Sequence, residues 1–132
     1  AMVFQEPVLL PWRTAVQNLT IAAGLTLSRA EDWLVSVGLA GLGSRFPGQL
    51  SLGQQRRLSL ARAFAVTPDL MLMDEPFVSL DPAMADEMMG LFETLRAAQP
   101  VSTILVTHAQ AEAARLATRT LRLEGAPARL AA

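Results

Sequence analysis

The sequence predicts an α/β chain built around a parallel sheet. Two observations carry that expectation. The first half reads as helices separated by loops marked with Gly and Pro, whereas short apolar runs alternate with helical patterns from residue 67 onward. An order of strand, helix, strand, helix, strand sets parallel strands side by side with helices packed against them.

Composition bounds the function classes. A chain of 132 residues is one domain at most, large enough for a core, and 52% apolar with 17% charged residues marks it as globular. A net charge of −1 lacks the basic footprint of a nucleic-acid or anionic-membrane binder. The absence of cysteine excludes disulfides and thiolate metal sites. No apolar run approaches the ~20 residues of a membrane-spanning helix. All eleven basic residues are arginine, so no lysine is available to any site in this chain.

Met2 to Gln5 is a short apolar stretch ending in an amide, and Glu6 to Arg13 is a Pro-punctuated loop with an exposed Leu/Trp cluster. Thr14 with Gln17 three residues on forms a capping box for a helix that Gly24 ends. Ser28 and Glu31 repeat that signal, and Ala30, Trp33, Leu34 and Val37 give the second helix one apolar face. Gly41, Gly43, Pro47 and Gly48 mark a loop. Ser51 and Gln54 cap a third helix to about Val66; Leu58, Ala61 and Ala65 form its inner stripe, and Arg56, Arg57 and Ser59 are expected to face away.

Leu70 to Met73, between Pro68 and Pro76, is too short for a helix and reads as a buried strand that ends in Asp74 and Glu75. Phe77 to Asp81 is a loop. Asp81-Pro82 is a strong helix start, followed by Met84, Met88, Leu91, Phe92 and Leu95 at helical spacing up to Gln99-Pro100. Thr103 to Thr107 is β-branched and reads as a buried strand, followed by His108 and an Ala-rich helix from Ala109 to about Ala117. Thr120 to Glu124 alternates like a half-exposed strand, with a loose tail after Gly125.

Chemistry gathers at three places. Asp74 and Glu75 stand at the carboxyl end of a strand, where open α/β sheets bind ligands; one carboxylate can hold Mg²⁺ and the other can take a proton from water. Ser51 to Gln54 presents backbone N–H groups at a helix N-terminus, which suits a phosphate. His108, directly after a strand, can hydrogen-bond a phosphate.

In order and spacing, these stretches resemble the ATP-binding subunits of ABC transporters. Val3-Phe4-Gln5 resembles the Q-loop, Leu50 to Arg57 the signature sequence, and Leu70 to Glu75 Walker B with its glutamate. Ser79-Leu80-Asp81 resembles the D-loop, and Thr107-His108 the switch histidine. The stretch from Gln5 through Val16 is similar to importers of the nitrate, sulfonate and taurine group. The resemblance implies a partial P-loop NTPase core with parallel strands, at about 67–132, plus an α-helical signature subdomain at about 12–66. It also implies ATP hydrolysis with Mg²⁺ by in-line attack of water. Glu75, His108 and Gln5 would be catalytic, and Asp74 and Gln5 would bear on Mg²⁺. Ser51, Gly53 and Gln54 would clamp the ATP of a second subunit, and Asp81 would couple the two sites. Implied partners are that second ATP-binding subunit and a transporter membrane subunit touched by the Gln5 to Trp12 loop. The implied location is cytoplasmic, peripheral on the inner face of the plasma membrane.

Two departures stand out. Leu52 occupies a position where the signature usually has glycine. The phosphate loop G-x-x-x-x-G-K-S/T, expected upstream of Gln5, cannot lie within a chain that has no lysine. The chain is therefore expected to be the C-terminal part of a nucleotide-binding domain, inactive alone and prone to self-association through an uncovered sheet. The alternative is a short non-catalytic protein that docks on a transporter or an intact ATPase subunit. Chromosome-maintenance ATPases fit poorly, because the helices before Ser51 are short and Gly-punctuated rather than heptad-patterned.

Overall fold

The computed structural model describes residues 1–125 and 127–131. Strand β1 (Met2–Val3) is followed by helices α1 (Ala15–Ala23), α2 (Leu27–Ser36) and α3 (Leu52–Ala65). Then come β2 (Leu70–Asp74), α4 (Pro82–Ala98), β3 (Ser102–Val106) and α5 (Gln110–Leu116), and last the short strands β4 (Leu123–Glu124) and β5 (Arg129–Leu130).

The parallel sheet has the order β1-β2-β3. Met2 pairs with Leu72 and Val3 with Met73, while β2 and β3 stay in register from Leu70 opposite Ser102 to Asp74 opposite Val106. The core lies on one side of this sheet. Met71 and Met73 are buried there with Leu58, Leu60 and Phe64 of α3 and Met88, Phe92 and Leu95 of α4. Phe64 and Phe92 meet with ring centroids 5.9 Å apart and tilted, and the Arg96 guanidinium lies over the Phe92 ring.

Leu70, Leu72, Ile104 and Val106 lie on the opposite face and are exposed. The expectation that β2 and β3 are fully buried is corrected here: each strand alternates, because the described helices cover only one face of the sheet.

Helices α1, α2 and α3 pack against one another. The α1 boundaries follow its caps: the Thr14 hydroxyl accepts from the Gln17 N–H, and Gly24 closes the helix at φ +63°. Its first N–H groups are taken up by the 43–45 loop, Ala15 donating to Arg45 O and Val16 to Gly43 O. Helix α2 starts two residues before the expected cap, at Thr26, whose hydroxyl accepts from Arg29 N–H. Thr26 thus caps the helix in place of Ser28, and the Glu31 carboxylate lies against Gly43 rather than closing a box with Ser28.

The expected last strand is also revised. Only Leu123–Glu124 is extended, and it pairs antiparallel with Arg129–Leu130 in a separate hairpin rather than joining the parallel sheet. Gly125 at φ +86° makes the turn. The tail expected to be loose thus pairs back over Arg129–Leu130; Ala126 and Ala132 lie outside the described residues.

Candidate functional site

Strand β2 delivers its two carboxylates to the carboxyl end of the sheet. Asp74 is its last residue and is exposed. Glu75 donates its N–H to Val106 O at 2.9 Å and adopts φ +46°, a left-handed conformation that turns the chain out of the strand. Its Oε1 lies 2.8 Å from Nδ1 of His108, which follows β3 on the neighbouring strand. That hydrogen bond, and the carboxylate's charge, hold the His108 imidazole above its ordinary range; Glu112 adds to the shift and slight desolvation opposes it. The Thr107 hydroxyl donates to Glu112 Oε2 at 2.6 Å and accepts from Ala109 N–H at 3.0 Å, fixing the entry to α5. Gln5 is exposed and lies just past β1, at the same end of the sheet.

A second group forms at the N-terminus of α3. Ser51 Oγ accepts from Gln54 N–H at 3.2 Å and Gln54 Oε1 accepts from Ser51 N–H at 2.9 Å, a reciprocal box. Helix geometry leaves the N–H groups of Leu52 and Gly53 without intrahelical acceptors. Gly53 borders an open pocket of about 230 Å³ lined also by Gly38, Ser51, Gln54, Arg57 and Met84. The concavity depends on Gly53, where an added Cβ would come within 2.9 Å of Met84 Cε. Arg57 walls the pocket by donating to Val37 O at 3.1 Å and pairing with Glu87. Asp81 accepts from Met84 N–H at 3.0 Å, starting the helix that brings Met84 to Gly53.

The structure therefore joins Glu75 to His108 and gathers Ser51, Gly53 and Gln54, with Asp81 one turn from Met84. Among the described residues, no hydrogen bond or ion pair links the two groups.

Residues 1–78 match the family model described as ABC transporter. The chain belongs to the ABC transporter family. Its aligned ABC relatives include the aliphatic sulfonates import ATP-binding protein SsuB 1 of Rhodococcus jostii, 43% identical over 122 residues, 92% of this chain and 50% of the relative. The probable amino-acid ABC transporter ATP-binding protein y4tH of Sinorhizobium fredii is 38% identical over 144 residues, 98% of this chain and 56% of the relative. Among solved structures, the ATP-binding cassette MJ0796, a dimer in a post-hydrolysis state bound to ADP and Pi, superposes with a TM-score of 0.72 at 30% identity. That match covers 86% of this chain and 54% of the other. The chain spans about half the length of the curated ABC relatives it matches.

Three residues that the sequence pattern places wrongly or passes over lie behind these two groups and the loop after Gln5. Arg56 and Ser59 are buried rather than facing away. The Arg56 guanidinium turns inward because the carbonyls of Pro76 and Val78 accept its protons. Asn18 is completely buried; it accepts from Leu10 N–H and donates to the carbonyls of Leu10, Arg13 and Thr14, anchoring the loop that follows Gln5. Its signal is a polar residue on an apolar helix face directly after a Pro-rich loop.

Proposed function

We propose that this chain supplies the C-terminal half of an ATP-hydrolysing subunit of an ABC importer, with residues of about 12–66 as the signature subdomain and about 67–132 as part of the core. The observation that carries this reading is the Glu75–His108 hydrogen bond at the carboxyl end of the parallel sheet, beside Asp74. Glu75 is the general base toward water, and His108 contacts the γ-phosphate. The residues fit Mg²⁺ as ATP brings it: Asp74 is an exposed carboxylate and Gln5 an exposed amide. No group of three or more His, Cys, Asp or Glu among the described residues forms a metal cage. A cation that keeps its waters and leans on phosphate oxygens needs only such a sparse donor set. When bound, Mg²⁺ neutralises charge developing on the phosphates.

Ser51, Gly53 and Gln54 present the α3 N-terminus to the ATP of a second subunit, and Asp81 couples the two sites. Of the Leu/Trp cluster expected to be exposed after Gln5, Leu9 and Leu10 are half-buried; Trp12, with Val8, is exposed and forms an apolar contact for a membrane subunit. No helix of the described residues is long and apolar enough to cross a membrane; the reading puts the subunit peripherally on the inner face of the plasma membrane. The likeness to SsuB proteins supports a sulfonate-class substrate for this reading. The bare face of Leu70, Leu72, Ile104 and Val106 makes self-association of the 132-residue chain the expected state.

A second reading rests on the open signature pocket: without catalysing anything itself, the chain completes the site of an intact ATP-binding subunit. Steady-state hydrolysis separates the two. The chain alone is expected to stay at background. Joined behind a glycine-rich lysine loop from a sulfonate-import relative, it is expected to turn over, with a loss of about 10²-fold or more in Glu75→Gln. Turnover by the 132 residues alone that Glu75→Gln abolishes overturns the inactivity. Joined-protein turnover indifferent to Glu75→Gln overturns the role of Glu75. Stimulation of an intact subunit by a chain that never turns over in the joined form favours the second reading.

A further inference from the structure

The loop between β2 and α4 holds itself together poorly. Pro76 has no N–H, and the two internal bonds, Val78 N–H to Glu75 O and Leu80 N–H to Phe77 O, are both 3.3 Å. Glu75 at φ +46° and Ser79 at φ +62° are both in the left-handed region. Such backbone persists only where its surroundings hold it in place.

Glu75 is anchored to Val106 O and His108, and past it the hold comes from α3. Arg56 is 8% exposed; its Nη1 donates to Pro76 O at 2.9 Å, and its Nη2 reaches Val78 O at 3.5 Å. The same side chain lines a cavity of about 10 Å³, enough for one water, together with Phe4 and Pro7 from the Gln5 segment and with Pro76 and Phe77. Glu6 lies close enough to support the buried charge against desolvation. One guanidinium thus bonds the loop that carries Glu75 and faces, across that cavity, the segment that carries Gln5, from the helix that carries the signature.

We propose that Arg56 is a positioning residue, fixing the Glu75 to Asp81 loop against the signature helix and the Gln5 segment. The catalytic meaning of that position rests on the function proposed above; the positioning itself does not. Arg56→Met keeps the length and apolar stem but leaves both carbonyls without their charged donor. Amide hydrogen exchange at Val78 and Leu80 should speed up about tenfold beyond any change at the β2 amides Leu72 and Met73. Arg56→Lys, with one charged donor, should restore part of that difference. Leu34→Ala, a core truncation in the helical half, should raise exchange everywhere together and leave the difference unchanged.

A second measurement needs no variant. In the unaltered chain, the Arg56 Nη protons should give separate, slowly exchanging signals, as held donors do. Freely averaging Arg56 Nη signals, or loop amides that move only in step with β2 in Arg56→Met, would overturn the proposal. Neither readout involves ATP, so a failure here leaves the hydrolysis reading standing. Loss of hydrolysis in the joined protein likewise leaves this proposal standing.

Discussion

His108 and Glu75 are 33 residues apart in sequence and 2.8 Å apart in space, Nδ1 to Oε1, bridging β3 and β2 at the carboxyl end of the sheet. The carboxylate favours the protonated ring, so the folded chain holds the His108 pKa above its ordinary 6.5. The sign follows directly. The stability that the pair contributes is fully present below about 6.5 and fades as pH rises through the raised folded value. With a single histidine in the chain, one ring resonance reports the titration. Its midpoint should lie above the ordinary value and fall toward it in Glu75→Gln; identical midpoints in the two proteins would refute the pairing.

Asn18 should be among the most sensitive positions in the helical half. Asn18→Ala leaves the Leu10, Arg13 and Thr14 backbone groups without their buried partner, at a cost of about 3 kcal/mol in urea unfolding. A loss below about 0.5 kcal/mol, the size of a surface change, would show that the loop re-solvates freely.

Gly53 and Met84 are coupled through space. Gly53→Ala gains up to about 1 kcal/mol of helix propensity and loses about the same by crowding Met84 Cε, so alone it should be close to neutral. In a Met84→Ala background the crowding is gone, and the same change should stabilise by about 0.5–1 kcal/mol. A double-mutant cycle with no coupling energy would contradict the contact.

Asp81 has a measurable structural share apart from any role between subunits. Asp81→Ala removes the acceptor for Met84 N–H and should cost about 1 kcal/mol, whereas Asp81→Asn should keep most of it. Equal losses for the two variants would mean that charge, not capping, is what matters there.

Much of this was legible in the residues because the signals are local. Thr14 and Gly24 bound α1 as read, Ser51 and Gln54 form the expected box, and Asp81-Pro82 opens α4. The parallel pairing of β2 and β3 followed from the alternation of strand and helix. What escaped depends on contacts distant in sequence. Arg56 looks like a solvent-facing charge until its acceptors, about 20 residues on, fold over it. Two residues of β1 carry no periodicity, so only Leu72 and Met73 reveal them as a strand. The exposure of Ile104 and Val106 is set by which face the helices cover, which an apolar run does not disclose.

The left-handed backbone at Glu75 bears on directed evolution. Glycine is the residue that adopts φ +46° without steric cost, so Glu75→Gly should relieve backbone strain while deleting the carboxylate that meets His108. Above the raised His108 pKa, where the pair no longer adds stability, a library of this chain sorted only for thermal resistance is expected to enrich that change. Selection for robustness and selection for chemistry would pull this one codon in opposite directions.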